Sequence, residues 1–221
     1  MVSIGPKNPS ACRFTCILAD ASHLVNYTST MKFSSRLCSV LTILVFLLLS
    51  SCMVRSVHPW LKKENVIFEE DLLGGWVGIN AAGKDTAMTF VRGDGNTYEV
   101  QYSDPDAHGI FIALLGKFGN DYYLDFRPKE RAPGADGLLM FPAHSVARLD
   151  IVRDRLTVHQ LNYGDFKAEA KLERLRDLRF AWDDEDELVI TSTTDDLQRF
   201  LLGLSRDSKL YAPPLRLSRR K

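Results

Sequence analysis

Much of the second half of the chain alternates apolar and polar residues with a period of two. Residues 97–103 (TYEVQYS) put Tyr98, Val100 and Tyr102 on one face and Thr97, Glu99, Gln101 and Ser103 on the other. Residues 121–127 (DYYLDFR) do the same with Tyr122, Leu124 and Phe126. This is the pattern of strands with one buried face. Residues 138–152 form a longer extended segment, with Ala147, Leu149 and Ile151 sharing a face, and Arg153-Asp154 turns it into 155–161. Residues 108–115 (HGIFIALL) are apolar on both faces, with Phe111, Ala113 and Leu115 on one and Ile110, Ile112 and Leu114 on the other. Further strands fit 178–182 and 187–191. Gly93-Asp94-Gly95-Asn96, Asp104-Pro105-Asp106 and Lys117-Phe118-Gly119-Asn120 punctuate the series with turn residues.

Two stretches change period. Residues 163–175 are rich in Ala, Glu, Lys and Leu and predict a weakly amphipathic helix. A stronger helix is expected near 194–205. Thr193 or Thr194 caps it, Asp195 and Asp196 occupy its first turn, and Leu197, Phe200, Leu201 and Leu204 form one stripe. That stripe is expected to cover the doubly apolar strand 108–115 from outside. The fold class that follows is mainly β. An antiparallel meander closes into a barrel of roughly 8–10 strands, with one or two helices packed outside. Closure removes exposed strand edges.

The apolar run from Leu37 to Leu49 follows neither pattern. As a helix it would reach roughly 20 Å, short of the ~30 Å hydrocarbon core of a bilayer. It has no polar face, Lys32 and Arg36 precede it, and Ser50 and Ser51 follow. These are the parts of a secretory signal with Met31 as its start. Residues 1–30 then read as a mis-assigned leader, 31–51 as the signal, 52–70 as a tether carrying Trp60, and 71–221 as the barrel domain.

The ending Leu49-Ser50-Ser51-Cys52 resembles the lipobox of bacterial lipoproteins. The resemblance implies cleavage before Cys52 and acyl chains on that residue, hence a membrane partner through a lipid anchor. One acyl chain binds reversibly, whereas two or three hold a protein at the bilayer. Met53, rather than Asp, implies the outer membrane, facing the periplasm. Gly74-Gly75-Trp76 resembles the G-x-W signature of lipocalins, which implies a Trp closing one barrel end under a late Arg. Arg216 is the expected counterpart. Leu197-Gln198-Arg199-Phe200 is similar to a late helix in small strand-rich lipoproteins, a class that implies no activity.

Composition narrows the function classes. The chain has 28 Lys and Arg against 28 Asp and Glu; Lys7, Arg13, Lys32, Arg36 and Asp20 precede Cys52, so the remainder carries 24 and 27. A net charge of −3 provides no basic field for nucleic acid. Cys12, Cys16 and Cys38 fall before Cys52, so the expected mature domain has neither a disulfide nor a cysteine metal site. His108, His144 and His159 lack metal-ligand spacing. Pro142 ends a strand beside His144, which places that imidazole near a barrel mouth in a structural role. Asp183-Asp184-Glu185-Asp186-Glu187 lacks the spacing of a calcium loop and reads as a hairpin tip. No catalytic signature is present, and neither cofactor nor metal is expected.

The inward aromatics Trp76, Tyr98, Tyr102, Tyr122 and Phe126 leave two readings open. They line a pocket for an apolar or amphipathic small molecule, or they fill the barrel, whose role is then envelope assembly through a protein partner.

Overall fold

The computed structural model describes residues 53–129 and 143–221. The expected leader, signal and Cys52 lie outside the described residues, as does the start of the 138–152 segment. In chain order the strands are β1 (Arg55–Ser56), β2 (Val66–Ile67), β3 (Gly74–Ile79), β4 (Asp85–Arg92), β5 (Thr97–Ser103), β6 (His108–Phe118), β7 (Asp121–Pro128), β8 (Ser145–Val152), β9 (Arg155–Gln160), β10 (Phe180–Trp182), β11 (Leu188–Ile190) and β12 (Leu215–Arg219). Helix α1 spans Tyr163–Lys171 and α2 spans Thr194–Gly203, both between β9 and β12.

Eight strands close an antiparallel barrel in the order β6-β5-β4-β3-β12-β9-β8-β7, with β7 returning to β6. Six hairpins build the meander from β3 to β9. The chain then leaves for 161–214, and β12 comes back to join β9 to β3. The closed antiparallel meander is what the alternation predicts, and its plan fits the lipocalin-like barrel that the Gly74-Gly75-Trp76 resemblance implies. The hairpin β10–β11 stands outside the barrel and pairs with β1 in a separate three-stranded sheet.

The barrel wall separates two cores. Inside are Trp76, Met88, Phe90, Tyr98, Leu115 and Leu156, with partners from all eight strands. Outside, Trp60, Tyr123, Val146, Phe166, Ile190 and Leu197 join the barrel wall to the helices and the small sheet. Each fully buried side chain of this size contributes about 1.5–3 kcal/mol.

Thr193 caps α2 by accepting from Asp196 N at 3.3 Å, while the Thr194 hydroxyl donates to Pro59 O at 2.7 Å. The stripe Leu197 and Leu201 enters the outer core with Leu114 and Phe118 of β6, but Ile110 remains exposed. The helix therefore covers only the far part of β6. Asn162 caps α1, which is shorter than expected because Glu173 adopts a positive φ of 55° and Arg174 N turns back to Glu169 O at 3.0 Å.

The expected tether 52–70 is instead part of the fold over its described residues. Val54, Ser56, Trp60 and Leu61 are buried. β1 runs parallel to β11, and Ser56 exchanges two backbone hydrogen bonds with His144, each 2.9 Å. The physical reason is distance along the chain. Trp60 shares its core with residues of β7, β8 and both helices, so the segment read alone presents one stray aromatic among polar neighbours.

Candidate functional site

The five candidate pocket aromatics all belong to the inner core: Trp76 and Tyr98 are fully buried, and Tyr102, Tyr122 and Phe126 are half-buried against it. Period-two alternation on β3, β5 and β7 is what points them inward. What their polar atoms do differs between the two barrel ends.

One end is plugged. After β2 the chain crosses it through Phe68, Glu69 and a 3-10 turn, Glu70–Leu72. Phe68 stacks on Tyr98 at 4.6 Å between centroids. The Tyr98 hydroxyl donates to Glu69 O at 3.0 Å and accepts from Glu69 N at 2.7 Å. Burial, ahead of its other influences, pushes this phenol's pKa up. The Trp76 Nε1–H donates to Leu72 O at 2.9 Å, and Tyr122 Oη lies at 3.4 Å from Glu69 Oε1. These indole and phenol groups hold the plug rather than facing a cavity.

The arginine above Trp76 is Arg219, with its guanidinium carbon 4.4 Å from the ring centroid. It donates from Nη1 to Leu73 O at 2.8 Å and from Nη2 to Asp71 O. Arg216, the expected counterpart, points outward instead. On β12 the residues Leu215, Leu217 and Arg219 share the inner face, and Arg216 has the opposite parity. Gly74, at φ +106°, lies under this arginine, and a Cβ there would meet Nη1 at 3.4 Å.

The other end is framed by Tyr102, Phe111, Phe126 and Leu215. Phe111 and Phe126 meet edge to face at 5.7 Å. The Tyr102 hydroxyl donates to Asp104 Oδ2 at 2.6 Å. Burial first, then the Asp104 carboxylate, pushes the Tyr102 pKa up to about 12. The same hydrogen bond lowers that of Asp104. At this end lies an open depression of about 460 Å³, lined by Val77, Gly78, Asp85, Thr86, Ala87, Ser103, Asp104 and Pro105. None of the five candidate aromatics lines it.

Two polar clusters lie on the outer wall. Asp125, buried on β7, accepts from Trp60 N at 2.8 Å and Leu61 N at 3.4 Å through Oδ2, while His144 Nδ1 sits 2.8 Å from Oδ1. His144 therefore lies on the outer side of the barrel wall, because residues 147 and 149 take the inner face of β8 and residue 144 has the parity of the outward Val146. Asp125 was invisible to the strand pattern, which gives it a solvent-facing position. Beside this cluster, Arg148 lies buried under Tyr211 at 5.1 Å, and His159 Nε2 meets Asp150 Oδ2 at 2.8 Å. The acidic hairpin tip is tied by Lys171 and Lys167 to Asp186, which lowers the pKa of that carboxylate, the Lys171 hydrogen bond acting first. Among the described residues, no three His, Cys, Asp or Glu side chains gather as metal ligands would.

Comparison with family models, curated proteins and solved structures returned no match.

Proposed function

We propose that this chain is a non-enzymatic lipoprotein of the bacterial cell envelope, anchored by acyl chains on Cys52 at the outer membrane and facing the periplasm. Its barrel is a filled scaffold that assists envelope assembly by docking a protein partner. The observation that carries the filled-barrel reading is the engagement of Trp76, Tyr98 and Tyr122 with the plug: the groups best suited to orient a ligand have partners within the chain. A pocket that binds small molecules keeps such groups facing open space.

The anchor rests on the lipobox-like Leu49-Ser50-Ser51-Cys52 alone. Cys52→Ala abolishes incorporation of a palmitate analogue and leaves residues 31–51 attached. Undiminished labelling of that variant contradicts the anchor. The scaffold role is tested by crosslinking in intact cells: a stoichiometric envelope protein supports it, and recovery of the barrel without any partner contradicts it.

A second reading has its own observation. The depression of about 460 Å³ beside Tyr102 is of the size that holds a small molecule. An apolar or amphipathic ligand would bind there, at the rim, not in the barrel axis.

A further inference from the structure

We propose that this chain forms a two-fold symmetric dimer through β10, whose open edge pairs antiparallel with the β10 of a second copy about Ala181. The proposal stands on the three-stranded sheet outside the barrel and draws on neither the anchor nor the contents of the barrel.

β10 is the last strand of the order β1-β11-β10, and among the described residues no strand pairs with it on its other side. The opposite margin of this sheet is taken, because Ser56 of β1 bridges His144. Towards the sheet, Ala181 pairs with Val189. Thr191 N donates to Arg179 O at 2.8 Å, and Asp183 N donates to Glu187 O at 3.1 Å. Arg179 N donates to Ser192 Oγ at 2.6 Å. Residues 179, 181 and 183 thus direct their backbone groups at β11. In an antiparallel ladder the intervening residues point theirs the other way, so the N–H and C=O of Phe180 and Trp182 face the open edge. Exposed strand edges commonly carry a Pro, a Lys or a bulge that discourages pairing. Residues 179–183 (RFAWD) contain neither Pro nor Lys, and the register of β10 with β11 is unbroken.

The edge read against itself selects a second copy. A two-fold axis at Ala181 sets Phe180 opposite Trp182 of the other chain and Arg179 opposite its Asp183. Both strands then present outward backbone groups at 180 and 182, which exchange four hydrogen bonds. Opposite charges directly across a ladder attract, and the symmetry supplies that pair twice. Arg179 and Asp183 are both exposed. Asp183 commits Oδ1 to the amides of Glu185 and Glu187, at 3.0 and 2.7 Å, and leaves Oδ2 for the arginine. Asp196, within electrostatic reach of Arg179, already pairs with Arg199. Trp182, 41% exposed, is covered by Phe180 of the second copy, and aromatic cross-strand pairs add to sheet stability. Slipping the register by two residues sets Ala181 against Arg179 or Asp183 and loses this match.

A ladder this short belongs to the weak, transient class of interfaces, so the test traps it covalently. Ala181 meets its own copy in a non-hydrogen-bonded pair, where Cα atoms lie about 4.5 Å apart, within disulfide reach. Ala181→Cys and, as a control also exposed on the same hairpin, Asp184→Cys are each introduced into the full chain. The proteins are purified in mild detergent and oxidised with copper phenanthroline. Disulfide-linked tryptic peptides are then quantified by mass spectrometry, so that the native cysteines do not enter the count. The expected result is a 181–181 linkage formed about tenfold or more faster than 184–184, which the register holds on the order of 20 Å apart. Arg179→Glu in the Ala181→Cys background turns both attractive pairs repulsive and should slow the linkage about tenfold. Linkage at 181 no faster than at 184, or unaffected by Arg179→Glu, overturns the proposal.

Discussion

Arg219 sits with its guanidinium carbon 4.4 Å from the centre of the Trp76 ring and holds the carbonyl of Leu73 at 2.8 Å. One side chain near the end of the described chain thereby fastens the first barrel strand and the turn that precedes it. Arg219→Ala removes a cation–π contact and two hydrogen bonds, so it should cost about 1–3 kcal/mol in urea unfolding. Arg216→Ala, on the outer face, should stay within about 0.5 kcal/mol. Equal losses would contradict the assignment.

Asp125 fixes the segment ahead of the barrel. Asp125→Ala strips the acceptor from Trp60 N, Leu61 N and His144 Nδ1 together. Leaving a buried hydrogen-bond donor unsatisfied costs about 1–3 kcal/mol, so the loss should be at least of that size. Hydrogen exchange should show loss of protection at Trp60 and Leu61 before the barrel strands. Uniform loss across the fold would mean the segment is not a separate unit of stability.

Tyr102 gives the folded state a dependence on alkaline pH. Folding raises its pKa from the ordinary phenol value of 10.0 to about 12. A raised pKa favours the neutral phenol in the native state. The stabilisation is complete below pH 10, declines as pH rises, and is lost above about pH 12. Tyr102→Phe should flatten that decline in urea titrations across this range. An unchanged slope would show that Tyr102 does not report the burial described.

Barrel closure depends on Gly78. A Cβ there would lie 2.2 Å from the carbonyl oxygen of Arg216 on β12. Gly78→Ala must push β3 and β12 apart, a loss of about 1–3 kcal/mol or more in thermal unfolding. Gly203→Ala, at the end of α2 with nothing within 4 Å of the new Cβ, should be neutral or stabilising by up to about 1 kcal/mol. The opposite ranking would place the weak point of closure elsewhere.

What could be read in advance follows from range. Tyr98, Val100 and Tyr102, or Ala147, Leu149 and Ile151, share the inner face because a period of two is a local property of the chain. The α2 stripe and its cap were legible for the same reason. Trp60 was not, since its amide partner Asp125 is 65 residues away. Asp125 itself occupies an outward position that becomes buried only because a second layer covers it. The exchange of Arg216 for Arg219 was within reach: counting parity from Leu217 selects the arginine that faces Trp76. The hairpin β10–β11 carries the same alternation as a barrel strand, and its pairing with β1 depends on a segment that reads as a stalk.

The central claim is a lipid-bearing protein whose barrel is full. Its most direct test is mass measurement on the full chain purified from the envelope in mild detergent, first native and then denatured. The account predicts a denatured mass that starts at Cys52 and carries acyl chains, and a native mass made up of protein chains and their acyl groups with no further small molecule. A native mass raised by a ligand that is lost on denaturation would contradict the filled barrel, and an unacylated chain retaining residues 31–51 would contradict the anchor.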